Sequence, residues 1–143
     1  MKLRDVMTRD VEVVHPNSTI REAAEKMKEL DVGPMPVCDG QRLVGMLTDR
    51  DITVRATAAG QDPARTAVRE VMTTDVVYCF EDQDVKEGER LMQDKQIRRL
   101  LVLDRDKRLV GIVSLGDLAV DADDPKRAGK TLERISEPAK PDR

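Results

Sequence analysis

The 143-residue sequence predicts a mixed α/β (α+β) fold made from two copies of a β-α-β-β-α unit. Three observations carry that prediction. The chain matches itself at an offset of 65 residues, the hydrophobic period changes in the same order within each copy, and one copy alone is only marginally stable. Val6-Met7-Thr8-Arg9-Asp10-Val11 returns as Val71-Met72-Thr73-Thr74-Asp75-Val76, with Glu22, Met27, Val37 and Asp39 matching Glu87, Met92, Val102 and Asp104. After a one-residue insertion in a charged turn, Arg42-Leu43-Val44-Gly45 matches Arg108-Leu109-Val110-Gly111, and Asp51 matches Asp117.

Taken in chain order, Val11, Val13 and Val14 suggest a short strand ended by His15-Pro16-Asn17-Ser18. Thr19 and Glu22 form a capping box for a helix whose Ile20, Ala23, Ala24, Met27 and Leu30 share one face. Met35-Pro36-Val37-Cys38 and Leu43-Val44-Gly45-Met46-Leu47 read as two buried strands across a turn, with a helix from about Asp49. The second copy repeats the pattern. Asp84 and Glu87 form the box, Val85, Leu91 and Met92 the stripe, which Gly88 weakens. Leu100-Leu101-Val102-Leu103 and Leu109-Val110-Gly111-Ile112-Val113 are the strands, and a helix runs from Leu115. A unit of roughly 50 to 60 residues buries only about 60% of its unfolded surface. Two copies packed sheet to sheet into one core remedy that. Residues 1–60 form the first repeat, 61–122 the second, and 123–143 a C-terminal extension with a closing helix over Lys126 to Ser136 and a frayed tail.

Composition narrows the function. There is one histidine, no tryptophan, one tyrosine and one phenylalanine. A multi-histidine metal site is impossible, a histidine triad would rest on His15 alone, and stacking platforms for single-stranded nucleic acid lack material. Charge is balanced along the chain, with 9 basic and 10 acidic residues in 1–60 and 16 and 18 in the remainder, so nucleic acid is not an expected partner. No segment reads as a signal peptide or a membrane span, which points to a cytoplasmic protein. Cys38 and Cys79 form no CxxC and read as reduced, partly buried thiols. His15 reads as a turn residue, and the methionines as adaptable core packing. On the second copy's first strand, one of Tyr78 and Phe80 is expected to face the core and the other a cleft or interface. Acid pairs such as Asp49–Asp51 read as solvated, with Mg²⁺ as the alternative.

The most informative segments are Gly45-Met46-Leu47-Thr48-Asp49-Arg50-Asp51 and Gly111-Ile112-Val113-Ser114-Leu115-Gly116-Asp117. Each ends a strand with a hydroxyl residue and places an Asp three positions on. One reading is a plain helix N-terminal pair. The other is a nucleotide site, with backbone N–H groups and the hydroxyl for a phosphate, the Asp for two ribose hydroxyls, and a glycine that lets a ligand or another backbone approach.

These ordered elements, over about residues 6 to 120, resemble a tandem pair of CBS domains, the module named after cystathionine β-synthase. The stretch from Lys95 to Leu118 is similar to nucleotide-binding repeats in the γ subunit of AMP-activated protein kinase, and the whole chain to small stand-alone bacterial CBS-pair proteins of stress or dormancy responses. The resemblance implies pseudo-twofold symmetry and two clefts, of which either, both or neither takes an adenosine-type ligand (AMP, ATP, S-adenosylmethionine or NAD). It also implies a disc-like homodimer. Carried over by residue, the first cleft uses Ser114 for phosphate, Asp117 for ribose, Arg98 and Arg99 for phosphate charge and Ile112 beside the base, with Thr8, Val11, Val32 and Gly33. The second uses Met46, Thr48 and Asp51 with Thr73, Val76 and Ile97. Its counterparts of Arg98 and Arg99 are Gly33 and Pro34, which removes two positive charges. An arginine pair holds phosphates with charge-assisted bonds, so the first cleft is the expected phosphate binder.

The expected function is a non-catalytic regulatory module that needs no cofactor beyond its nucleotide, Mg²⁺ accompanying phosphates, and that signals to a regulated protein through its shape. The alternative is a structural or interaction dimer with empty clefts. An enzyme acting on nucleotides ranks last, because no base, nucleophile or metal cluster stands beside the motif.

Overall fold

The computed structural model describes residues 1–121, and side chains as far as residue 118. The expected closing helix and tail lie outside the described residues. The chain divides into two compact units. Among the described residues, unit one takes in Met1–Val11, Val77–Asp106 and residues 110–121, and unit two takes in Glu12–Val76 with Lys107–Leu109. Sequence repeat and compact unit are therefore different divisions: the opening eleven residues fold with the second copy, and residues 61–76 fold with the first. Buried residues form two clusters, one within each unit.

In unit two, α2 (Ile20–Leu30) starts from Thr19, whose Oγ1 accepts the Glu22 amide at 3.1 Å, and buries Ile20, Ala23 and Met27. Strands β1 (Pro34–Asp39) and β2 (Arg42–Thr48) pair antiparallel with a register shift at Val37/Cys38. The expected first strand shrinks to one parallel bridge, Val14 to Val37. Its equivalent in unit one is a true strand, β3 (Tyr78–Phe80), parallel to β4 (Arg99–Leu103) in a three-stranded sheet of order β3-β4-β5 with β5 (Leu109–Ser114). Two prolines explain the difference. Glu81 donates to the Leu103 carbonyl at 2.8 Å, but its repeat position holds Pro16, and Leu101 corresponds to Pro36. Neither proline has an N–H, so the ladder cannot extend to either side of Val14.

Unit one opens with α1 (Leu3–Val6) and contains α4 (Val85–Lys95) and α5 (Leu115–Asp121). The expected Asp84–Glu87 box is not formed. Asp84 instead accepts the Lys86 amide at 2.9 Å, and the Glu87 carboxylate accepts from Gln83 Nε2 at 2.7 Å, so a competing side-chain donor removes half of the box. Tyr78 and Phe80 are also corrected. Residues two apart on a strand share a face, so Cys79 points into the core and both rings lie outside it, edge to face with centroids 5.7 Å apart. The Arg105 guanidinium sits 4.1 Å above the Phe80 ring and holds Asp82 through bonds of 2.9 and 2.8 Å. Those bonds keep the Asp82 carboxyl below the usual carboxylate range.

Each unit buries one thiol. Cys38 and Cys79 are 3% and 4% exposed, and burial pushes each up from 9.0 to about 11. Folding thus favours the neutral thiol. The associated stability is complete below pH 9 and is lost as pH rises through 11, because the unfolded chain ionises first. The urea midpoint should fall over this window by less in a Cys38→Ala/Cys79→Ala variant than in the wild type. Parallel curves for the two proteins would refute the assignment.

Candidate functional site at the strand–helix corners

Each unit turns from its last strand into a helix through a pair of reciprocal hydrogen bonds. In unit one the Ser114 amide donates to Asp117 Oδ2 at 2.8 Å, and the Asp117 amide donates to Ser114 Oγ at 3.1 Å. In unit two Thr48 N reaches Asp51 Oδ2 and Asp51 N reaches Thr48 Oγ1, both at 3.0 Å. The helix-cap reading of these residues is therefore realised, at the start of α5 and of α3 (Asp49–Asp51). The box also fixes each carboxylate, spending one oxygen on it and turning the Asp toward the corner.

The glycine three residues before each hydroxyl admits a second backbone. Thr73 and Met46 exchange two bonds of 2.8 Å beside Gly45, and Thr8 and Ile112 exchange bonds of 2.8 and 3.0 Å beside Gly111. A Cβ on Gly45 would lie 2.8 Å from the Thr73 carbonyl oxygen, and one on Gly111 would lie 3.0 Å from that of Thr8. Hence Thr8, Ile112, Ser114 and Asp117 come together in unit one, and Thr73, Met46, Thr48 and Asp51 in unit two. Val11 and Val76 are half-buried, at the ends of the segments that carry Thr8 and Thr73.

The start of the preceding strand is delivered to each corner by a left-handed residue closing the helix before it. Asp31 (φ 55°) ends α2 and Gln96 (φ 54°) ends α4. Non-glycine residues adopt this conformation at a cost of about 1 kcal/mol, and bonds from Val32 N to Met27 O and from Ile97 N to Met92 O offset it. The chain then passes the corner, where Asp49 N donates to Gly33 O at 3.1 Å and Leu115 N donates to Arg98 O at 2.9 Å. Arg98 and Arg99 are exposed in unit one, as is Ile97 in part. Val32 and Gly33, assigned with them by resemblance, belong to unit two.

Sequence reasoning missed Arg55. The helix after Asp51 widens into a π-helical stretch, Ile52–Thr57. Arg55 Nε lies 3.8 Å from Asp51 Oδ1, and its Nη1 donates to the carbonyls of Val71 and Met72 at 3.3 Å each. The signal was present: Arg55 stands four residues after Asp51, and its repeat position is the oppositely charged Asp121. His15 stays a turn residue, its Nδ1 accepting the Asn17 amide at 3.0 Å and its Nε2 3.5 Å from Asp39. A concavity of about 320 Å³ between His15, Lys26 and Cys38 contains none of the expected site residues. Among the described residues, no group of three or more His, Cys, Asp or Glu side chains is placed to hold a metal ion, and no helix is long and apolar enough to cross a membrane.

The family model for the CBS domain matches residues 3–56 and 68–121. The chain belongs to the CBS-domain family. CBS domain-containing protein YhcV of Bacillus subtilis is 47% identical to this CBS pair over 134 residues, 94% of each chain. Hypoxic response protein 1 of Mycobacterium tuberculosis is 39% identical over 117 residues, 81% of each. Solved CBS structures agree in fold and in α+β class. Hypoxic Response Protein I with two coordinated zinc ions superposes with a TM-score of 0.74 at 38% identity, over 84% of this chain and 98% of that one. CBSX2 in complex with AMP gives 0.71 at 26% identity, over 85% and 95%. The CBS pair of MJ0100 in complex with 5′-methylthioadenosine and S-adenosyl-L-methionine gives 0.67 at 28% identity, over 84% and 94%.

Proposed function

We propose that this CBS pair is a non-catalytic regulatory module that binds an adenosine-type nucleotide at its strand–helix corners and reports occupancy to a partner protein through a change of shape. The observation that carries the proposal is the duplicated corner: in both units a hydroxyl–Asp box stands beside a glycine-cleared backbone pair. Asp Oδ2 serves the box in both units; Oδ1 of Asp117 is left to accept from a ribose hydroxyl, whereas Oδ1 of Asp51 lies 3.8 Å from Arg55 Nε. The adenosyl ligands named for two structures of the same fold support this class of ligand. The corner hydroxyls and carboxylates are engaged with backbone amides and supply geometry without a reacting group, which suits a sensor. In this proposal the protein is a cytoplasmic homodimer serving a stress response, needs no further cofactor, and takes Mg²⁺ only with the phosphates of its ligand.

Such a ligand acts by binding one conformation better than another. At 100 times its dissociation constant it stabilises the fold by about 2.7 kcal/mol. Thermal unfolding with AMP, ATP, S-adenosylmethionine and NAD should raise the midpoint for at least one of them. For AMP and ATP, Asp117→Ala should reduce the shift more than Asp51→Ala. A midpoint that no adenosyl ligand moves refutes the proposal and leaves the interaction dimer.

A further inference from the structure

Unit two leaves open a place whose counterpart in unit one is occupied by that unit's own side chains. The concavity of about 320 Å³ in unit two has apolar walls of Val13, Val14 and Cys38, with His15, Ser18 and Glu22 among its polar lining. The residues of this lining have repeat counterparts 65 positions on, and in unit one those counterparts bind one another. Arg105 lays its guanidinium 4.1 Å from the centre of the Phe80 ring, and Gln83 Nε2 donates to the Glu87 carboxylate at 2.7 Å. Unit two holds Gly40, His15, Ser18 and Glu22 at the same positions. Gly40 brings no side chain, and nothing lies within 4 Å of where its Cβ would sit. Ser18 carries its hydroxyl on Cβ, short of a glutamine's reach. Among the described residues the Glu22 carboxylate accordingly has no hydrogen bond or ion pair.

Lys26 does not satisfy Glu22. Its ammonium donates to the Val13 carbonyl at 2.9 Å and lies 3.8 Å from the Glu12 carboxylate, which matches its charge. Asp39 adds a further acid, 3.5 Å from His15 Nε2. The concavity is thus open, walled by aliphatic groups and a buried thiol that packs as a small hydrophobe, and lined by an uncommitted carboxylate and one ring. Apolar walls with a few convergent polar groups suit a small ligand. An alkylguanidinium matches this lining group by group. Its stem meets Val13, Val14 and Cys38, its planar cation covers the His15 ring as Arg105 covers Phe80, and its paired N–H donors meet the Glu22 carboxylate.

We infer that this concavity of unit two is a binding site for a small alkylguanidinium, which supplies the groups that Arg105 and Gln83 supply in unit one. The site shares no residue with the strand–helix corners and does not depend on the nucleotide proposal.

Nuclear magnetic resonance titration of the full chain with n-butylguanidinium is the test. The amides of Val14, Ser18, Glu22 and Cys38 should shift saturably, with one ligand per chain, because unit one fills its own place. Glu22→Gln, at an exposed position, should weaken binding about tenfold or more. Ser18→Gln should weaken it as well, by giving Glu22 the internal donor that Gln83 gives Glu87. n-Butylammonium has the charge without the planar fork and should bind more weakly than n-butylguanidinium. The inference is overturned if those amides do not shift saturably, if the two cations bind equally, or if both variants bind as tightly as the wild type. N-acetyl-arginine N-methylamide bound as tightly as n-butylguanidinium would also overturn it, and would assign the place to an arginine of a partner protein.

Discussion

Gly45→Ala is expected to destabilise the protein by about 1–3 kcal/mol, the range for forcing extra atoms into a filled site. The new methyl group would lie 2.8 Å from the Thr73 carbonyl oxygen and 2.9 Å from Met72 Sδ. The methionine can move aside, since its side chain is unbranched and flexible. The carbonyl cannot do so freely, because Thr73 is held to Met46 by two bonds of 2.8 Å. Relief therefore requires parting the two backbones that build unit two's corner. Gly111→Ala is the internal comparison. Its closest clashes are with Met7 Sδ and Cγ, at 2.5 and 2.8 Å, while the Thr8 carbonyl is 3.0 Å away, so more of the overlap can be relieved by a side chain. Urea unfolding should rank wild type above Gly111→Ala above Gly45→Ala. A Gly45→Ala midpoint equal to that of the wild type would show that the close approach is not required.

Leu3→Ala should cost about 2–5 kcal/mol, although the residue is third in the chain. Leu3 is 0% exposed and belongs to the core of unit one with Val85, Met92 and Leu100. Its short helix is tied there by bonds from Leu3 N to Gln83 O at 2.9 Å and from Arg4 N to Glu81 O at 3.1 Å. Gly88 is the other half of this contact. A Cβ at that position would lie 3.0 Å from Leu3 Cδ2, so the glycine that costs about 1 kcal/mol of helix propensity is what seats the leucine. Met1→Ala, at a residue 58% exposed, should change little. In hydrogen exchange, Leu3→Ala should deprotect α4 and β4 before α2 and β1. Equal loss of protection across both units would argue against the segment belonging to unit one's core.

Much of this was legible from the residues. The offset of 65 fixed how many units to expect and the order of their elements, and the hydroxyl–Asp spacing located both corners. Three misreadings share a cause, a partner distant in the chain, whereas the Asp84–Glu87 box and the facing of Tyr78 and Phe80 were decided locally. Gly88 reads as a defect until Leu3 is placed beside it. Val11 to Val14 read as a strand until Pro16 and Pro36 are seen to occupy the donor positions that a parallel ladder needs. Arg55 has no assigned part until the carbonyls of Val71 and Met72 arrive from sixteen and seventeen residues away.

By itself the sequence determined the repeat, the α+β class, the aliphatic character of the core and the residue types at each corner, because those follow from periodicity and local capping chemistry. Only the tertiary structure decided that residues 1–11 complete the core of the second copy and residues 61–76 that of the first. It also decided that the Asp49 carboxylate stands beside Gly33. The physical reason is the same in both cases: a backbone pair such as Thr8–Ile112 or a charge beside a strand start is set by which distant segments the packing brings within bonding distance, and no local spacing encodes that.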